Sequence, residues 1–385
     1  MNNLKQNILI TGGAGFIGVN LTRALLKLGA NVRIVDSFNQ QVHSTGLLPL
    51  DISGGVELIK GDIRDSDLMI RALNGIDRIV HLAADTGTGQ SMYEIQRYFS
   101  TNVQGTAVLL DLLQNHAAGK SIESIVVASS RAVYGEGAYK CNIHGVVFPE
   151  QRNHTRMAKG LFEPECPFCS SPLSLLPTPE SAPFMPMSMY GLTKQAQEQA
   201  VLLFARTHSI NGFGLRYQNV YGPGQSLKNP YTGILAVFSN LARQNQPIEI
   251  YEDGMESRDF VYIDDVVEST VRSLSFEGQF VGSLNVGFGN AISVLTVAQE
   301  IKSFFDSESS IKITGEFRIG DIRHNIADVQ KLQNILGFVP QVNFKEGLCN
   351  FLTWATNQAP EDQKAYLRSV NELAVRGLMG KIYSQ

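Results

Sequence analysis

Apolar residues along this chain fall into two alternating rhythms. Runs of strand length cover Asn7 to Thr11, Val32 to Val35, Val56 to Ile59, Arg78 to Leu82 and Ile125 to Ser129. Between them, in segments such as Phe16 to Leu28 and Val103 to Gln114, apolar side chains recur at the spacing of a helix with one buried face. This alternation predicts βαβ units and a parallel sheet covered on both faces. The rhythm stops after Tyr134. From Glu136 to Pro186 the chain carries eight of its fourteen prolines and little periodicity, so an insertion is expected there and not more sheet. Helical spacing returns from Tyr190 to His208, and a further strand follows over Gly212 to Tyr217. The predicted fold class is α/β: a doubly wound parallel sheet over residues 1–212, interrupted by a cysteine-bearing insertion at 136–186. A smaller α/β lobe over 213–385 follows, with some segments returning to the first domain. Near the end, Tyr366, Leu367, Val370 and Leu373 have the spacing of an amphipathic helix that docks on the body or on a partner.

A chain of 385 residues, 43 % of them hydrophobic, can bury the core that two lobes require. Thirty-two basic against thirty-six acidic residues leave a net charge of −4, which attracts neither nucleic acid nor anionic lipid. Any phosphate site must therefore be local. No apolar run approaches the roughly 20 residues of a membrane span, and Ile8-Leu9-Ile10 ends too soon at Gly12 for a signal peptide; the expected location is the cytoplasm. Four cysteines are too few for a disulfide scaffold. Cys349 stands apart in an apolar helical context and reads as a core thiol.

Gly12, Gly15 and Gly18 lie between a strand and a helix, where missing side chains allow a tight turn and close approach of a pyrophosphate to the helix N-terminus. Phe16 and Ile17 fall inside this turn. Asp36 ends the next strand, eighteen residues after Gly18. A carboxylate there accepts ribose hydroxyls and repels a 2′-phosphate, which favours NAD over NADP in a Rossmann-type site. Asp62-Ile63 closes the third strand, where Asp62 either meets the adenine edge or caps the helix that follows.

Ser130 ends the strand Ile125 to Ser129, at the sheet edge where ligands lie in open α/β folds. Sixty residues later comes Tyr190-Gly-Leu-Thr-Lys194. A free tyrosine has a pKa of about 10, so service as a base needs nearby positive charge. Lys194, one helical turn on, and a cationic nicotinamide are the expected sources, with Ser130 bonding the reacting oxygen.

With these residues the chain resembles the extended short-chain dehydrogenase/reductase family, and within it the sugar-nucleotide epimerases and dehydratases. The resemblance runs through the glycine motif, His81-Leu-Ala-Ala84, Asn102, the Ser130, Tyr190 and Lys194 set, Leu215 to Gly224, Arg258 to Asp265 and Gly320-Asp-Ile-Arg323. It implies that Leu82, Ala83, Ala84 and Asn102 join the NAD site. It also implies that Thr86, Ser130 and Asn219 touch a nucleotide-diphosphate sugar, that Arg258 and Arg323 clamp its diphosphate, and that the protein is a homodimer. Guanidinium forks suit phosphate oxygens. Dehydratases and decarboxylases of this family carry a glutamate two residues before the strand-end tyrosine; many dehydratases add an adjacent aspartate. This chain has Arg131 and Ala132 there. Eliminating water across C5 and C6 needs an extra acid and base, so the departure favours 4-epimerisation. A further resemblance, in Thr86 to Tyr93 and Ser129 to Gly137, is to the branch of 4-epimerases acting on dTDP-L-rhamnose. A UDP-hexose 4-epimerase, another nucleotide-sugar oxidoreductase or lyase, and a non-catalytic NAD-binding regulator are the competing readings.

Cys141-Asn-Ile-His144 and Cys166-Pro-Phe-Cys169 are two short pairs with twenty-one residues between them. Three thiolates and one imidazole would close a tetrahedral zinc site with no open position. The alternative is a loop of reduced thiols with a solvated histidine.

Overall fold

The computed structural model describes residues 5–43, 45–227, 233–359 and 364–382. Its centre is a seven-stranded sheet formed by β1 (Asn7–Thr11), β2 (Asn31–Asp36), β3 (Val56–Lys60), β4 (Arg78–His81), β5 (Ser124–Ser130), β9 (Asn211–Tyr217) and β10 (Val281–Val286). The strand order is β10-β9-β5-β4-β1-β2-β3, and every neighbouring pair is parallel. Order reverses between β1 and β4, which opens a crevice at the carboxyl ends of the central strands. Residues alternate between two cores: Ile8 and Ile10 of β1 enter one, Leu9 the other, and Val126 and Val127 of β5 divide in the same way. Burial on both faces is why these strands read as unbroken apolar runs.

Segments beyond residue 212 return to the first domain. β10 completes the sheet from inside the second half, and the helix Ile263–Leu274 packs on α1 (Phe16–Lys27). Within the proline-rich stretch, the expectation of no sheet is only partly met. β6 (Tyr139–Cys141), β7 (Gly145–Val147) and β8 (Ser174–Leu175) form a small antiparallel sheet of their own. It is separate from the main sheet, and its apolar core is slight: Tyr139, Cys141, Val147 and Cys166, with Leu173 and Leu175 against them.

The amphipathic segment near the end is a helix, Lys364–Val375, and it docks on the body. Leu373 is buried, the Tyr93 hydroxyl donates to Glu372 at 2.7 Å, and Arg376 lies over the Tyr93 ring at 4.3 Å. Beyond it, Met379–Lys381 pairs antiparallel with Glu316–Arg318. No helix among the described residues is long and apolar enough to cross a membrane.

Candidate active site

A cavity of about 800 Å³ runs along the carboxyl ends of the sheet and into the second half of the chain. Gly12, Gly15, Phe16, Ile17, Gly18, Asp36, Asp62, Ile63, Leu82, Ala83 and Ala84 all line one end, as the motifs predict. The turn after β1 needs glycine at position 12. Its φ is +70°, and a Cβ there would stand 2.7 Å from the Ala83 amide nitrogen. Asp36 accepts from the Ala14 amide at 3.0 Å and from the Phe38 amide at 2.8 Å, which holds its carboxylate across the glycine turn with acceptor capacity to spare. These residues fit a dinucleotide: the backbone is bare where phosphates approach, and an anion stands at the ribose end. Asp62 is held by the Arg64 side chain at 2.5 and 2.9 Å; the following helix is capped by Asp65, so the capping alternative for Asp62 falls away.

Asn102 is a correction. It is fully buried, absent from the cavity wall, and saturated by the Asp85 amide at 2.7 Å, the Asp85 carbonyl at 3.1 Å and the Thr193 hydroxyl at 2.9 Å. It sits in a π-helical turn, Phe99–Gln104, and pins the loop after β4 to the tyrosine helix. Its role is positioning.

Ser130 ends β5 and accepts from the Ala132 amide at 3.2 Å as the chain turns. Tyr190 opens the helix Met189–Thr207, capped by Ser188 through the Gly191 amide at 3.1 Å. A Cβ on Gly191 would lie 2.5 Å from the Ala132 carbonyl, so glycine lets this helix start directly over the Ser130 turn. Ser130 and Tyr190 both face the cavity there, and the serine acts to lower the tyrosine pKa. One buried carboxylate fixes the geometry: Glu198 takes the hydroxyl of Ser129, the guanidinium of Arg216 at 2.6 Å and the hydroxyl of Ser283 at 2.6 Å. β5, β9, β10 and the tyrosine helix are tied at one point. Burial pushes the Tyr190 pKa up, while Ser130 and the Arg131 charge pull it down. Lys194 lines the cavity one turn further along the same helix. Its Nζ donates to the Ala128 carbonyl at 3.0 Å, and burial brings its pKa down to about 7.

Thr86 and Asn219 line the cavity, and Asn219 Oδ1 is buried with no partner among the described residues. Arg258 also lines it, donating to Asp321 at 3.1 Å and to the Arg323 carbonyl at 3.0 Å. Arg323 does not join it. That side chain is 1 % exposed and bound to Glu252 at 2.8 Å, Asp253 at 2.7 Å and Glu163 at 2.7 Å, outside the cavity. The chain reverses at Gly320, where φ is +82°, and this separates the two arginines on either side of it. Arg318 faces the cavity instead, over the Tyr251 ring at 4.8 Å, with its Nε buried and unpartnered among the described residues.

Arg131, Glu256, Tyr366 and Arg318 were not picked out as site residues from sequence, yet all four line the cavity. Burial and nearby Arg258 bring Arg131 down to about 10; burial pushes Glu256 up to about 7. A second arginine five residues before Arg323 was the one available signal for Arg318.

The four predicted metal ligands do come together. Cys141, His144, Cys166 and Cys169 place their ligand atoms within 4.8 Å of one another, away from the cavity wall.

The sequence pattern described as "NAD dependent epimerase/dehydratase family" matches residues 8–151 and 170–287. The dTDP-L-rhamnose 4-epimerase of Burkholderia thailandensis is 36 % identical over 92 % of this chain and 96 % of its own length. A putative UDP-glucose 4-epimerase of Methanocaldococcus jannaschii is 30 % identical over 91 % and 98 %. Among solved structures, MoeE5 in complex with UDP-glucuronic acid and NAD is 30 % identical, with a TM-score of 0.71 over 91 % of this chain and 99 % of that one. The UDP-glucose 4-epimerase of Thermotoga maritima with UDP-glucose is 28 % identical, with a TM-score of 0.72 over 91 % and 98 %. With a glycine turn, an Asp36 carboxylate and a Ser130–Tyr190 pair converging on one cavity, and with these relatives spanning nearly its whole length, this chain belongs to the NAD dependent epimerase/dehydratase family.

Proposed function

We propose that this protein catalyses the NAD-dependent 4-epimerisation of a nucleotide-diphosphate sugar, converting dTDP-L-rhamnose to dTDP-6-deoxy-L-talose. The observation that carries the reading is the convergence of Ser130 and Tyr190 on one cavity wall, with Arg131 and Ala132 beside them. Tyr190 takes the proton from the sugar O4, and Ser130 bonds the same oxygen. Lys194 holds the nicotinamide ribose. NAD held by Gly12, Gly15 and Asp36 would supply hydride acceptance and donation at C4 of the sugar. The free Asn219 acceptor meets a sugar hydroxyl, and Arg258 and Arg318 take the diphosphate. No carboxylate occupies positions 131 and 132, so elimination across C5 and C6 lacks the acid and base it would draw from there.

Similarity to the B. thailandensis enzyme supports the rhamnosyl substrate. A UDP-hexose substrate is the second reading, supported by the relatives named for UDP-glucose. A homodimer suits the exposed Ile95, Phe99, Leu192 and Leu203 on adjoining helices. A structural zinc in the cysteine segment would leave this chemistry to the tyrosine.

The test follows C4-deuterated dTDP-L-rhamnose and UDP-glucose by NMR with catalytic NAD. Label retained in a C4-inverted product, and at least about a hundredfold loss of turnover in Tyr190→Phe, are the expected results. Faster turnover of the UDP sugar would replace the substrate assignment but keep the reaction. Label lost to solvent would overturn hydride return itself.

A further inference from the structure

We infer that the segment between β5 and the tyrosine helix holds one structural zinc ion, bound by the Sγ atoms of Cys141, Cys166 and Cys169 and by Nδ1 of His144. The evidence is the spacing of these four atoms. A tetrahedral site with Zn–S of about 2.3 Å and Zn–N of about 2.0–2.1 Å has sulfur–sulfur edges of about 3.8 Å and sulfur–nitrogen edges of about 3.5 Å. Here Cys141 and Cys169 are 3.8 Å apart, His144 Nδ1 is 3.6 Å from Cys141, and it is 3.4 Å from Cys166. The sulfur separation is far from the roughly 2.05 Å of a disulfide, and all four cysteines of the chain are free.

The backbone around the cluster is arranged for thiolates. The Ile143 amide donates to Cys141 Sγ at 3.4 Å, and His144 adds a second amide. The amides of Phe168 and Cys169 point at Cys166, and Cys169 receives the amide of Ser171. Each pair of ligands sits on a tight turn, closed by Gly145 at φ +71° in one case and by Ser170 at φ +56° in the other. Ser170 is a non-glycine residue held in the left-handed region, its amide donating to the Cys166 carbonyl at 2.8 Å. Such strain persists only where surrounding structure enforces it. The small apolar core cannot do so, since Ile143, Val146 and Phe168 all lie exposed beside it. A metal supplies the missing constraint.

The ion also has something to brace. Between the two ligand pairs lie Arg152 and Glu163. Arg152 binds Glu136 at 3.0 Å, Glu252 at 2.8 Å and the Asp321 carbonyl at 3.0 Å, while Glu163 binds Arg323 at 2.7 Å. Asp321 in turn holds Arg258 in the cavity wall. Closing the cluster therefore fixes both ends of a loop whose middle supports an arginine of the substrate half.

The experiment measures metal content of untagged, full-length protein purified under reductant, with and without added zinc, and records the visible spectrum after cobalt substitution. Expected are about one zinc per chain and the intense d–d bands of tetrahedral cobalt thiolate. The double variant Cys166→Ser with Cys169→Ser should lose the metal. Should it fail to fold, the wild-type cobalt spectrum still decides the geometry. Less than about 0.2 zinc per chain after reconstitution, an octahedral cobalt spectrum, or iron in place of zinc would each overturn the assignment. Chelation by a zinc-binding dye should then raise the substrate KM several-fold while NAD affinity stays put; parallel loss of both, or of neither, would reject the bracing role. Metal content and the cobalt spectrum are read without any sugar, so they stand apart from the substrate assignment.

Discussion

Arg131 stands where water-eliminating relatives would place a carboxylate, and its charge acts on the base itself. Desolvation raises the pKa of Tyr190, and a cation nearby stabilises the tyrosinate. Removing that cation raises the pKa further, so a larger share of the enzyme stays protonated and idle at a given pH. Arg131→Met should accordingly move the acid limb of the kcat/KM profile to higher pH. An unmoved limb would assign the tuning to Ser130 and the cofactor alone. The identities of Ser130, Tyr190 and Asp36 were legible from sequence because spacing and strand ends place them. The Arg131 charge on the tyrosine was not, since it comes from the turn after β5 and not from the tyrosine's own helix.

A single turn decides which arginine lines the cavity. Glu316–Arg318 leads into Gly320, and the chain then runs on to His324–Asn325, which pairs with Ser257–Arg258. Arg318→Ala should raise the substrate KM about ten- to a hundredfold, the effect of losing a hydrogen bond to charge worth ~1.5–3 kcal/mol. Arg323→Ala should instead lower stability by ~3–5 kcal/mol, read from the urea midpoint, because it leaves Glu252 buried with less compensation. Reversal of these two phenotypes would restore Arg323 to the site. Sequence periodicity placed six of the seven sheet strands within a residue or two and left β10 unread; the central strands, buried on both faces, leave a continuous apolar signature. Two arginines five apart carry no such signature: which one faces inward depends on a glycine turn and on carboxylates from distant segments.

At the scale of the whole molecule, the cavity is closed by parts of the chain far apart in sequence. Tyr366, Ser369 and Leu373 of the last helix line it together with Gly87 and Gly89. Deletion of residues 364–385 should therefore raise the substrate KM at least about tenfold, ~1.4 kcal/mol, with NAD affinity unchanged by fluorescence titration. Equal weakening of both ligands would mean that the helix supports the fold and not the substrate half. Sequence spacing announced an amphipathic helix here. Its docking partner lay beyond reach because Tyr93 and Glu372 are 279 residues apart.

Glu198 also makes distant segments of the chain interdependent. Its three partners, Ser129, Arg216 and Ser283, come from strands spread over more than 150 residues, and none is supplied by the helix that carries the carboxylate. Burying this charge without β9 and β10 would leave it unpaired. The alignment of Ser130 under Tyr190 thus depends on β9 and β10. An isolated fragment ending before β9 would carry the glycine turn and Asp36 without a finished catalytic pair, so the cofactor half and the chemistry have no independent life as separable modules.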